Sequence, residues 1–154
     1  MVRLKGRLPC GFRGTEVPCC SMADTINLVE EQEIYAAIGW DGFERLVDAF
    51  YRQVPGDDVL GRMYPAQDLE GSKQRLRDFL IFRFGGPPSY VEQRGHPRLR
   101  IRHAPFAIGQ IARDRWLQLM NRALDEAALP DDARQVLRSF FESTTTFLKN
   151  RPGD

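Results

Sequence analysis

Cysteine is scarce in this chain and crowded at one end: Cys10, Cys19 and Cys20 are the three present. Three thiols cannot close a disulfide framework and leave one unpaired, a usage that suits a reducing cytoplasm better than secretion. No nearby histidine or fourth thiol completes a tetrahedral metal set around them. Histidine is scarcer still, with His96 and His103 the only two. No apolar run approaches the roughly 18–20 residues needed to cross a bilayer, and no apolar stretch near Met1 could act as a secretory signal. A formal net charge of +1 over 154 residues gives no broad field for nucleic acid or an anionic membrane. Internal repeats, low-complexity linkers, strand–helix–strand patterns and flavin or nicotinamide fingerprints are all missing.

What remains is enough for one domain with a real core. The first 21 residues stand apart: Arg3, Lys5, Arg7 and Arg13 against Glu16 give +3, which leaves −2 for the rest. Together with Gly6, Pro9, Gly11, Gly14 and Pro18 they show no hydrophobic periodicity, as expected of a disordered basic tail or of a start codon assigned upstream of a true one at Met22. From Glu30 onward the pattern predicts helix after helix. Phe43, Leu46, Val47, Phe50, Tyr51 and Val54 follow helical spacing, closed by Pro55-Gly56. An irregular piece to Tyr64-Pro65 leads to a helix over about Leu69–Phe84, stopped by Gly85-Gly86-Pro87-Pro88. Helices are also predicted over about Gly109–Ala128 and Asp131–Lys149. Arg98–Arg102 alternates like a strand, but no second strand exists to pair with it. A short helix between Pro97 and Pro105 is the better expectation. It would place Leu99 and His103, four apart, on one face.

His103, among Leu99, Ile101, Pro105 and Phe106, is the candidate metal ligand. A neutral imidazole can offer one nitrogen to a metal while a backbone carbonyl holds its other N–H, and the arginines around it suit an anionic cofactor edge. The plainer alternative is a satisfied core or loop histidine. Tyr51 and Trp116 fall on apolar helix faces, where their O–H and N–H need partners. Each either bonds a backbone carbonyl and fills space or aims its donor into a cavity shared with His103. Four arginines between Arg94 and Arg102 invite a nucleic-acid reading, but no wider basic surface supports one.

Several motifs occur in a telling order: Phe50-Tyr51 with Gln53-Val54, Met63-Tyr64-Pro65 with Asp68-Leu69, Arg75-Leu76 with Phe79-Leu80, Gly85-Gly86-Pro87, Tyr90, the Gly95–Phe106 segment GHPRLRIRHAPF, and Arg113-Asp114 with Trp116-Leu117. Together they closely resemble the group II truncated haemoglobins, over about Ile34 to Arg151. The resemblance implies an all-α, globin-like 2-over-2 helical sandwich over residues 29–154, with residues 1–28 as a basic extension outside it. It makes His103 the proximal ligand of haem b iron and Tyr51, Tyr64 and Trp116 the distal polar residues. Leu76 would line the same pocket, with Ser72 at the distal position where larger globins place a gating histidine. Arg75 is suited to a haem propionate, and Tyr90, His96, Leu99 and Arg102 are candidate contacts around the haem. Two positions depart from the family pattern: Gly39-Trp40 replaces a common Gly-Gly pair, and Phe84 stands where a tryptophan is common.

Such a site is expected to bind O2, NO or CO at a five-coordinate iron. Two productive distal donors, at roughly 1.5–3 kcal/mol each, could strengthen oxygen retention on the order of 10² to 10⁴-fold. Slow release makes a poor bulk carrier. The expectation is therefore O2/NO redox chemistry, with nitric oxide dioxygenation or peroxidase-like turnover fed by an external reductase. The alternatives are a gas-binding or sensing module without turnover and a helical protein that has kept the shape without haem. A homodimer is open to any helix face.

Overall fold

The computed structural model describes residues 22–152, with side-chain surroundings from residue 31. The expectations for residues 1–21, all three cysteines included, fall outside the described residues. Helix α1 (Met22–Gln53) begins ahead of Glu30, where periodicity places the first helical residues, and bends at Gly39. There φ is 63° and ψ −174°, a conformation that glycine reaches at little cost. Trp40 beside it stays outside the core, 46% exposed, with the Arg77 guanidinium 5.0 Å over its ring. From Phe43 to Val54 every position expected on the apolar face is buried.

Pro55 and Gly56 close α1 in a single 3-10 turn. Two further 3-10 turns, Leu60–Arg62 and Ala66–Asp68, carry the chain to α2 (Leu69–Arg83). Asp57 fixes this irregular stretch. Its Oδ1 accepts the Val59 and Leu60 N–H groups at 3.0 and 2.8 Å, while Oδ2 takes Arg115 Nη1 at 2.7 Å. A backbone that makes few bonds to itself is thereby tied to the helix beyond.

Next come α3 (Ser89–Arg94), which periodicity does not foretell, and α4 (Leu99–His103). Arg98–Arg102 thus forms the short helix and not the strand, with Arg98 left-handed (φ 42°) at its entry. Helices α5 (Gln110–Glu126) and α6 (Asp131–Leu148) complete the chain. Helix α1 packs on α2 and α5, α5 on α6, and α6 back on α1, so one helical pair lies over the other. This is the 2-over-2 sandwich, and the described residues contain no strand. Ala133, Leu137, Phe141 and Thr145, four apart along α6, form its buried face. Phe84 is fully buried in place of the family's tryptophan, its ring 6.1 Å from Phe43 and 5.0 Å from Phe140.

The end of α2 is held against the first part of α1, where Tyr35 N–H donates to Phe84 O at 3.0 Å. The close approach depends on Gly85, at φ 91°, where a Cβ would lie 2.0 Å from the Gln32 carbonyl oxygen. Backbone cannot swing aside as a side-chain tip can. Gly85→Ala should therefore cost about 2–4 kcal/mol, read as a lowered urea midpoint with an unchanged slope. A variant as stable as the parent would show that α1 and α2 separate freely here.

Candidate functional site

A cavity of about 500 Å³ opens between α2, α4, α5 and α6, within the roughly 300–1,000 Å³ of pockets that enclose a ligand. Its walls are mostly apolar, with Met63, Leu76, Phe79, Leu99 and Phe140 among them. Tyr51, Tyr64, Ser72, Arg75, Tyr90, Arg102, His103 and Trp116 also line it, so the chain brings all the expected site residues together save one. His96 is exposed and does not line the cavity; its Nδ1 accepts the Arg98 N–H at 3.2 Å.

The short α4 explains how His103 is held. Its Nδ1 lies 2.7 Å from the Leu99 carbonyl oxygen, one turn back on the same helix. A carbonyl only accepts, so Nδ1 must carry a proton, and in the neutral ring Nε2 keeps its lone pair. The turn after α4 is fixed from a distance. Asn150, just past α6, donates through its side chain to the His103 and Phe106 carbonyls at 3.2 and 2.9 Å, and its Oδ1 accepts the Ile108 N–H at 3.0 Å. Arg102 closes the other side, donating to the Pro97 and Arg94 carbonyls at 2.7 and 2.8 Å. Its charge sits at the cavity rim while its N–H groups brace the loop.

Tyr51 from α1, Tyr64 from the 3-10 stretch and Trp116 from α5 form one network. Trp116 Nε1 donates to the Tyr64 hydroxyl oxygen at 3.3 Å, and the Tyr51 phenol interacts electrostatically with that of Tyr64. The Tyr51 and Tyr64 rings meet edge to face, 5.6 Å apart. Because the indole N–H can only donate, the Tyr64 oxygen accepts in that bond and its own O–H is free to donate elsewhere. Burial above all, then the nearness of Tyr64, pushes the Tyr51 phenol far above its ordinary value. Burial also raises Tyr64, against the lowering effect of the bonds from Trp116 and Tyr51. Both therefore remain protonated donors over the physiological range.

Arg75 reaches the rim held by Asp68 and by Ser72 Oγ, the latter at 2.8 Å. Sequence reasoning missed Arg113, which also lines the cavity. Its Nη1 and Nη2 bond Asp114 and Thr146 at 2.8 Å each. Its Nε is the one buried side-chain polar atom without a partner among the described residues. Such an orphan donor costs about 1–3 kcal/mol, which a carboxylate at the cavity edge would remove. Phe140, Thr144 and Leu148 of α6 line the cavity too, where their spacing alone reads as core.

The model of the bacterial-like globin family matches residues 33–150. Group 2 truncated hemoglobin YjbI of Bacillus subtilis is 38% identical over 117 residues, which make up 76% of this chain and 88% of that protein. Among solved structures, the haemoglobin of the thermophilic phototrophic bacterium Chloroflexus aurantiacus is 49% identical, with a TM-score of 0.74 over 77% of this chain and 98% of that one. The thermostable haemoglobin of the actinobacterium Thermobifida fusca is 45% identical, with a TM-score of 0.75 over 78% of this chain and 98% of that one. The chain belongs to the bacterial-like globin family and, within it, to the group II truncated haemoglobins. Membership implies haem, and the residues fit it: an imidazole with a free Nε2, apolar walls, cations at the rim and an orphaned arginine donor.

In the unfolded chain both phenols ionise near pH 10; in the folded protein they do not. Stability is therefore untouched below that pH and falls as pH rises above it. An alkaline spectrophotometric titration should find Tyr51 and Tyr64 silent until circular dichroism reports unfolding, with Tyr51→Phe weakening the alkaline loss. Full phenolate absorbance from these two in a still-folded protein would contradict the buried network.

Proposed function

We propose that the chain binds haem b through His103 Nε2 and takes up O2, NO or CO on the face lined by Tyr51, Tyr64 and Trp116, in the service of O2/NO redox chemistry. The observation that carries this reading is the 2.7 Å bond from His103 Nδ1 to the Leu99 carbonyl oxygen. It orients the ring and selects, for the neutral imidazole, the tautomer whose Nε2 can bind a metal. Haem b, held by His103, would supply an iron able to take a diatomic ligand. The apolar walls exclude water, and Arg75, Arg102 and Arg113 offer charge to the propionates from the rim.

On the distal side the chain supplies one direct donor and two supporting ones. Tyr64 is the direct donor, because its oxygen already accepts the Trp116 N–H and its own proton is left for a ligand. Trp116 acts through it, since the bond into its oxygen makes that proton a stronger donor, and Tyr51 packs edge to face against its ring. A bond from Tyr64 to a partly charged ligand atom is worth about 1.5–3 kcal/mol. Retention then rises roughly ten- to hundredfold, less than three independent donors would give. Turnover needs reducing equivalents from outside the chain, consistent with work in a reducing cytoplasm.

His103→Ala tests the axial ligand. It should lose haem or hold it with an altered axial absorption spectrum; an unchanged spectrum would move the site elsewhere. The donor order is tested by oxygen dissociation rates. Tyr64→Phe should speed release by about ten- to hundredfold, and Trp116→Phe by a smaller factor. Equal or reversed effects would make the indole N–H the direct donor instead.

A further inference from the structure

Most described arginines outside Arg94–Arg102 are neutralised by a carboxylate, whereas the four within it are not. Eight arginines of the described residues, on α1, α2, α5 and α6, pair with carboxylates. None of Arg94, Arg98, Arg100 and Arg102 does so within ion-pair distance, although Asp68 lies within Coulombic reach of Arg94. All four are exposed, and residues 93–108 contain no acid. On a chain of net charge +1, this is a local concentration of positive charge. Apolar side chains sit among these charges. Ile101 is 69% exposed between Arg100 and Arg102, Phe106 is 42% exposed, and Phe147 is 56% exposed beneath the Arg100 guanidinium at 5.2 Å. Ile101 is two residues from His103, and the Phe106 ring lies 6.5 Å from its imidazole.

We propose that the α4 surface carrying Arg98, Arg100 and exposed Ile101, with Phe147 beneath Arg100, docks an acidic one-electron carrier protein that feeds the site through His103. The inference rests on the haem reading above. Charge complementarity argues for the partner, because unpaired cations speed encounter with an acidic surface and make it salt-sensitive. The small apolar centre suits the brief, low-area contacts of electron-transfer pairs. In the step itself one electron would leave the reduced carrier, which would be oxidised, and would reduce a ferric iron held by His103 to ferrous. No atom or proton moves with it.

The test uses the full chain loaded with haem and a strongly acidic [2Fe–2S] ferredoxin as probe. Affinity is measured calorimetrically and electron transfer by stopped flow, both against ionic strength. The paired substitution Arg98→Glu, Arg100→Glu should weaken binding at least about tenfold at low salt and slow reduction in proportion. The haem spectrum and carbon monoxide affinity should stay unchanged, as neither side chain lines the cavity. Ile101→Ala should weaken binding with little change in salt dependence. Arg134→Glu, Arg138→Glu, toward the other end of α6 from Phe147, should have little effect. Equal losses from both pairs of reversals, or no loss from the first, would overturn the docking face. So would tighter binding of phosphatidylserine–phosphatidylcholine vesicles or of duplex DNA than of the ferredoxin. Failure of the parent chain to acquire a haem spectrum would refute the haem reading instead, and with it the proposed electron transfer.

Discussion

A single hydrogen bond inside a five-residue helix decides what this site can be. Because the Leu99 carbonyl must accept from His103 Nδ1, the imidazole is locked in one tautomer and one rotation. The lone pair of Nε2 then faces outward as a ligand would require. A helix this short has little stability of its own. Its geometry is borrowed from its surroundings: Arg102 bridges to the loop before it, and Asn150 grips the loop after it. The left-handed Arg98 at its entry is the local conformational cost of turning the chain into position.

The opposite side of the cavity is built on a different principle. Buried Tyr51 meets half-buried Tyr64 and Trp116 from separate parts of the chain, and the indole donor ends on the Tyr64 oxygen. Burial that would otherwise penalise these groups is what keeps them protonated and correctly oriented. The irregular chain carrying Tyr64 needs an anchor to sustain this arrangement. Asp57 provides it, binding its own loop and Arg115 of α5, the helix that also presents Trp116.

Much of this was legible in the residues themselves. Amphipathic spacing located four of the helices, and the Pro97–Pro105 bracket selected helix over strand for the segment ending at His103. Helix α3 was not legible, because six residues after a Gly-Gly-Pro-Pro stop are too few to show a period. For Trp116, register identifies the face but not where the indole N–H ends, and it ends on Tyr64. The α6 side chains Phe140, Thr144 and Leu148 look like core because periodicity cannot separate packing on a helix from lining a hollow. His96 shares its neighbourhood with His103, yet the chain turns it outward to cap the Arg98 amide. Asn150 carried no signal at all. Its partners are backbone carbonyls 47 and 44 residues earlier, a pairing no local pattern can announce.

That last clasp has a consequence for the order in which the molecule is made. The imidazole-bearing turn is secured only when residue 150 arrives, so during synthesis the pocket stays open on that side until nearly the whole domain has left the ribosome. Any prosthetic group admitted earlier would meet an unlatched door, and Asn150 acts as the bolt.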